Sequence, residues 1–356
     1  MVELYGRSWT RAELLSYLAD MDQVGGIRSF AYQDGPEAGV RALEFRTGAG
    51  LNFTVLADRS MDIAMAEINA TPVSFLTPVG YVHPAYFEEP GLNWLRTFQG
   101  GLFVTCGLDT TGFPSNDGGQ DFGLHGRGST LAARNLSFDA DWKGDEYVLR
   151  ARGKMRQASF HGEHLQLTRE ITARLGRNTI WIHDTVENMG TRREPHAIMY
   201  HFNAGFPLLD DGAELMVRSQ GIQVVTDNAH PALPTCRQVH EPRFGFAEEV
   251  FIHDTIPGAD GTVSATLVNR AFRGGRGLAM AIRYRKAELP FLIQWRNFKE
   301  RAYVMGIEPA NADVRGRAYN RAQGTLVELD PGERREYHLE VEIADDPAGV
   351  ARLTAS

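Results

Sequence analysis

From Ile27 to Ile343 the chain is cut into short segments rich in Val, Ile, Phe, Tyr, Trp and Thr, separated by clusters of Gly, Asp, Asn and Pro. That punctuation limits the fold more than any other feature, because short β-branched and aromatic segments bounded by turn formers read as strands. Strands are expected at Ala42–Arg46, Leu51–Ala57, Tyr147–Gly153, Leu165–Ala173, Thr179–Asn188, Ala197–Phe206, Thr262–Phe272, Gly277–Tyr284, Phe291–Phe298 and Glu336–Ile343. No helical pattern alternates with them, so a parallel sheet with crossover helices is disfavoured. Two hairpins are expected, one turning at Gly176-Arg-Asn178 and one at Gly274-Gly-Arg-Gly277, which makes the pairing antiparallel. Thr10-Arg-Ala-Glu13 is a capping box that opens a short helix carrying Leu14, Leu15 and Leu18. Pro72 to Asp121 reads as an irregular, loop-rich region, the type of segment that carries function. With neither a fixed-period repeat nor a Ser- or Pro-rich linker, residues 1–356 are expected to form a single all-β domain of packed antiparallel sheets, with 1–25 as an N-terminal extension.

Composition narrows the function. Hydrophobic residues at 43% and charged residues at 23% supply a core and force no segment into disorder. Lys and Arg number 37 against 45 Asp and Glu, a net charge of −8 without basic runs, so no nucleic-acid partner is expected. Two cysteines without metal-type spacing fit free thiols in a reducing compartment. The N-terminal residues lack an apolar core of the secretory type, and no run of about 18 apolar residues occurs. A cytoplasmic location and no membrane partner are the expectation.

In Tyr303-Val-Met-Gly-Ile-Glu-Pro-Ala-Asn311, one carboxylate, Glu308, ends an apolar strand-like run. Such a group must find water, a donor or a substrate, and Pro309 suggests that the strand stops there with the carboxylate facing a cleft. In Ala197–Ala204 alternation puts Ile198, Tyr200 and Phe202 on one face and Met199, His201 and Asn203 on the other. His201 is then either a core histidine held by a backbone partner or part of a polar pocket with Asn203. His125 sits between glycines in Phe122-Gly-Leu-His-Gly-Arg127, as an exposed turn residue or an accessible imidazole, with Arg127 able to anchor hydroxyls. Asp58, Arg59 and Asp62 follow a strand and fit an ion-paired turn as well as a site. Trp94, Arg96, Gln294 and Trp295 combine aromatic faces with planar hydrogen-bonding groups, which suits a sugar ring; the same tryptophans would also suit a core. Asp109 is a candidate hydroxyl acceptor. His161-Gly-Glu-His164 lacks helical context and a third ligand, so it reads as a surface turn and no metal is expected. Glu308, His201 and His125 together supply a carboxylate and two imidazoles suited to proton transfer. No nucleophile elbow and no nucleotide-binding glycine motif is present, so no nucleotide cofactor is implied.

The order Leu124-His-Gly126, His201-Phe-Asn203 and Ile307-Glu-Pro309, with Leu329-Asp-Pro-Gly-Glu333 as a closing turn, resembles the galactose mutarotase (aldose 1-epimerase) superfamily. Asp58–Ile63, Thr105–Gly107 and Tyr200–Pro207 resemble an uncharacterised aldose 1-epimerase-like branch, distinct from ordinary galactose mutarotases. The resemblance implies a β supersandwich that holds a monosaccharide, free or modified, in a cleft on a concave sheet face without a cofactor. It further implies Glu308 as base on the anomeric hydroxyl, His201 as acid at the ring oxygen and His125 as a hydrogen-bonding partner beside them. Arg59, Asp62, Arg96, Asp109, Arg127, Asn203, Gln294 and Trp295 are the candidate sugar contacts. Arg127 stands where the superfamily has a second glycine, and Asn203 follows His201 more closely than in many mutarotases, which leaves the sugar open. An isomerase or lyase moving a proton beside a carbonyl, or a carbohydrate-binding protein without catalysis, would use the same groups. A homodimer is compatible with these features.

Overall fold

The computed structural model describes residues 1–355. Two large antiparallel sheets, of twelve and eight strands, dominate it. All ten expected strands are present, with ends shifted by a few residues: Glu146–Ala158 extends Tyr147–Gly153, and Glu194–Ala204 replaces Ala197–Phe206. Both hairpins form as expected. Ala173 pairs with Ile180 across the turn at Gly176, whose φ of 82° suits glycine. Asn269 pairs with Leu278 across the second turn.

The centre of the larger sheet runs Glu249–Thr255, Phe291–Lys299, Ala302–Ala310, Glu194–Ala204, Phe103–Leu108 and Asp62–Ile68 in that spatial order. Alternation sorts its side chains. Ile198, Tyr200, Phe202, Met305, Ile307 and Leu292 point into the core shared with the smaller sheet, where they meet Ile171, Ile182, Ile282 and Leu339. Burying side chains of this size contributes about 1.5–3 kcal/mol each, so the pleat parity of these strands is strongly specified. Val104, Cys106, Met199, Ile293 and Ala310 occupy the opposite face, under a second apolar cluster completed by Trp94, Phe98 and Leu124.

Several expectations need correction. The last central strand does not stop at Glu308; it continues through Pro309 to Ala310. Proline is tolerated because Leu292 opposes it on one side, while the ladder to Glu194–Ala204 has paired positions at Phe202–Ile307 and Met199–Ala310 and none between. The stretch 72–121 is less irregular than its Gly and Pro content suggests, since Phe103–Leu108 is a fully buried central strand within it. The capping box of Thr10 and Glu13 is present, but its helix spans only Arg11–Leu15 and buries Leu14 alone. Two helices were not anticipated: Arg317–Gln323, and Pro347–Thr354 with Asp346 as N-cap. No helix among the described residues is long and apolar enough to cross a membrane.

Candidate active site

Phe202 opposite Ile307 and Met199 opposite Ala310 bracket His201 and Glu308, so the register sets these two side by side on the face away from the core. Their side chains meet: His201 Nε2 lies 3.2 Å from Glu308 Oε1. Both are nearly inaccessible, at 4% and 1% exposure. Space for the carboxylate comes from Gly306, two residues earlier on the same face, where a Cβ would stand 2.2 Å from Glu308 Oε1. Asn203 donates from Nδ2 to the carbonyl of His201 at 3.0 Å and so braces that strand from within the sheet.

His125 arrives from a loop. Its φ of 57° is left-handed, a conformation costly for a side chain bearing a Cβ, and backbone bonds hold it there: its N–H donates to Gly112 O at 2.9 Å, and its carbonyl accepts from Gly107 N–H at 3.0 Å. Gly126 next to it also has positive φ, and a Cβ there would lie 2.7 Å from the carbonyls of Gly107 and Thr110. The glycines around His125 therefore serve close backbone packing, which brings the imidazole over the sheet with its ring centroid 5.5 Å from that of His201.

These three groups form the floor of a cavity of about 160 Å³. Trp94, Phe98, Phe113 and Trp295 supply aromatic walls, and Leu92, Leu95, Leu124, Val250, Ile293 and Val314 the aliphatic ones. Trp94 stacks on Phe98 at 4.6 Å, and His201 meets Trp295 edge-on at 5.6 Å. Glu248 adds a second carboxylate at the wall, accepting from Trp295 Nε1 at 2.9 Å.

Burial in this apolar setting acts on all three titratable groups against their charged forms. It pushes Glu308 well above the usual carboxylate range, with the negative charge of Glu248 acting in the same direction. It depresses His201 to about 4. His125 is held well below the ordinary imidazole range by burial and then by His201. Beyond its 3.2 Å contact with His201 Nε2, Glu308 Oε1 has no protein partner, and neither His201 Nδ1 nor His125 Nδ1 has one. A floor of one carboxyl and two imidazoles, poised to give or take protons and not consumed by internal bonds, is suited to acid–base chemistry on a bound ring.

Of the residues singled out from sequence, Glu308, His201, His125, Trp94 and Trp295 converge on this cavity. The other seven candidate sugar contacts lie outside its lining, Asn203 among them. Arg59 is fully buried and donates to the carbonyls of Val82 and Thr97 and to Gln99 Oε1, tying down the segment that carries Trp94 and Phe98. Asp62 accepts from the Thr105 N–H and hydroxyl, with Arg169 3.4 Å away. Asp109 accepts from Gln157 at 2.6 Å and pairs with Arg317. Arg127 pairs with Glu89, and Arg96 is exposed. Gln294 is on the sheet's other face, donating to Cys236 O at 2.7 Å and lying 2.9 Å from His253 Nε2.

Glu248, Phe98 and Phe113 are among the cavity residues that sequence reasoning missed, as are the aliphatic walls Leu92, Leu95, Val250, Ile293 and Val314. Glu248 carried no local signal, being an exposed acid beside another in a polar loop. His161 and His164 do not join any metal-type group among the described residues; His183, Glu336 and His338 do, with ligand atoms within 4.8 Å of one another on the outer face of the smaller sheet.

No curated protein matches the chain. Among solved structures, a protein from Klebsiella pneumoniae subsp. pneumoniae MGH 78578, provisionally named as an aldose 1-epimerase, superposes with a TM-score of 0.86 at 25% identity, over 98% of this chain and 94% of its own. A galactose mutarotase-like protein from Clostridium acetobutylicum gives 0.60 at 10% identity, over 91% and 99% of the two chains. Galactose 1-epimerase from Lactobacillus acidophilus NCFM gives 0.57 at 11%, over 90% and 99%. At such identities the last two carry the fold alone, and it is the galactose mutarotase-like β-sandwich. Residues 37–343 match the model of the family described as a domain of unknown function (DUF4432), and the chain belongs to that family.

Proposed function

We propose that the protein interconverts the anomers of an aldose, with Glu308 and His201 as the proton-transfer pair and His125 hydrogen-bonding beside them. The observation that carries this reading is the 3.2 Å approach of Glu308 to His201 at the floor of an aromatic cavity. Opening an aldose ring requires a proton to leave the anomeric hydroxyl while another reaches the ring oxygen. One group must accept and its neighbour donate, and together they hold one proton throughout. Burial puts that proton on Glu308 at rest, leaving His201 neutral. Handing it across to His201 creates the accepting carboxylate and the donating imidazolium in one step. Rotation about C1–C2 and reclosure with the roles exchanged yields the other anomer and returns the pair to its starting state. Acid and base suffice for this sequence, so the reading asks for no cofactor. The aromatic walls support it, since they offer faces to the C–H surface of a sugar.

The test is NMR exchange spectroscopy on a panel of aldoses in deuterated water. Anomer exchange should fall at least ~100-fold in Glu308→Gln. The wild-type kcat/KM should rise with pH through the depressed His201 value of about 4 and fall again as Glu308 loses its proton above the usual carboxylate range. Unchanged exchange in the variant, a flat profile, or deuterium appearing at a sugar carbon would each overturn anomer exchange as the reaction, the last in favour of proton removal beside a carbonyl.

A further inference from the structure

We infer that the sugar this site takes is uncharged and poor in hydroxyl groups, as a 6-deoxyhexose is; the inference rests on the sugar-binding reading of the cavity and deepens it. Fourteen residues line the cavity, and only His125, His201, Glu248 and Glu308 offer polar side chains other than an indole. The indoles are already committed, Trp94 Nε1 to Ser129 Oγ at 3.1 Å and Trp295 Nε1 to Glu248. If the three floor groups serve the anomeric hydroxyl and ring oxygen, Glu248 alone remains for the other hydroxyls of a hexose. Each hydroxyl buried without a partner lowers affinity about ten- to a hundredfold, whereas a methyl group against Phe98, Phe113, Leu95 or Val314 gains contact.

Charge points the same way. No Lys or Arg lines the cavity. The arginines closest to its walls in sequence are engaged or turned away: Arg96 in solvent, Arg127 on Glu89, Arg296 beside Glu249 at 3.1 Å and Arg315 on Asp313 at 2.9 Å. A phosphate or carboxylate on the sugar would stand beside the Glu248 carboxylate with no counter-charge, and would be repelled.

The experiment is a tryptophan fluorescence titration of the intact protein, reporting on Trp94 and Trp295, with two matched sets. These are D-fucose, D-galactose, D-galactose 6-phosphate and D-galacturonate, and D-quinovose, D-glucose, D-glucose 6-phosphate and D-glucuronate. In at least one set the 6-deoxy sugar should bind about tenfold or more tighter than its parent hexose, and the phosphate and uronate about a hundredfold weaker than the parent. Glu248→Gln should recover about tenfold of the lost phosphate affinity. Phosphate or uronate binding as tightly as the parent overturns the inference. So does a parent hexose binding as well as its deoxy form in both sets, or no response to either deoxy sugar at about 50 mM, where a millimolar site is filled. Anomer exchange measured on the same panel separates the two claims. Selective binding without exchange overturns the catalytic reading and leaves the substrate class standing; exchange with the reverse selectivity does the opposite.

Discussion

The strand Glu194–Ala204 carries a buried polar cluster on each of its faces, and the two are built on opposite principles. On the core face, Tyr200 donates to Asp184 Oδ2 at 2.7 Å, and Arg169 bridges Asp184 at 2.6 Å and Asp62 at 3.4 Å while also donating to Thr105 and to the carbonyl of Ser60. On the other face, His201 and Glu308 touch each other, keep polar atoms without a protein partner and open onto a cavity. The first cluster sets one guanidinium between two carboxylates, leaving Asp62 Oδ2 unpaired, and joins the two sheets; the second holds a carboxyl with no cation beside it. A buried counter-charge marks the cluster that serves the fold, and its absence at equal burial marks the one kept for a ligand.

Removing Arg169 should break the contrast most severely. Arg169→Met leaves Asp62 and Asp184 buried without their counter-charge and should cost about 3–5 kcal/mol in urea unfolding. A loss below about 1 kcal/mol would show that the core cluster does not hold the sheets together. Gly306→Ala attacks the other face. The added methyl must displace the Glu308 carboxylate, so kcat/KM for anomer exchange should fall about 100-fold, while stability drops by only about 1–3 kcal/mol. Unaltered exchange would mean that the carboxylate position is unimportant.

The smallest effect concerns Glu308→Gln and stability. Glu308 has a higher pKa in the folded chain than in the unfolded one, so its contribution is intact below the unfolded value near 4.5 and is lost as pH rises through the folded value. The glutamine variant has no such loss. Its stability relative to wild type should therefore increase from pH 4.5 to pH 8, the reverse of the Arg169 result. A difference that shrinks with rising pH would place Glu308 among the satisfied carboxylates.

How much of this could be read from the chain depends on whether the deciding information is local. Glu308 and His201 were legible because a lone carboxylate in an apolar strand and a two-residue alternation are properties of neighbouring residues. His125 was legible through its glycines. Gln294 and Trp295 were grouped together as sugar contacts, yet adjacent strand residues face opposite ways, and only Trp295 reaches the cavity. Asp346-Pro347 carried a helix-start signal, an N-cap followed by proline, within a pattern otherwise read for strands. Arg59, Asp62 and Asp109 have side chains of the right chemistry, but partners 40 or more residues away in sequence engage them: Gln99 for Arg59, Thr105 for Asp62 and Gln157 for Asp109. Spacing along the chain holds no record of such bonds.

By itself the sequence determined the antiparallel all-β class and the parity that divides each central strand into a core face and a cavity face, since periodicity acts over a few residues; it marked Glu308, His201 and His125 as candidates and left a bland reading open beside each histidine. Only the tertiary structure decided which polar groups are spent. The pairing register set His201 against Glu308, long-range bonds drew the arginines away from the cavity, and a distant loop placed Glu248 on its wall, because each depends on contacts between segments that the chain brings together only on folding.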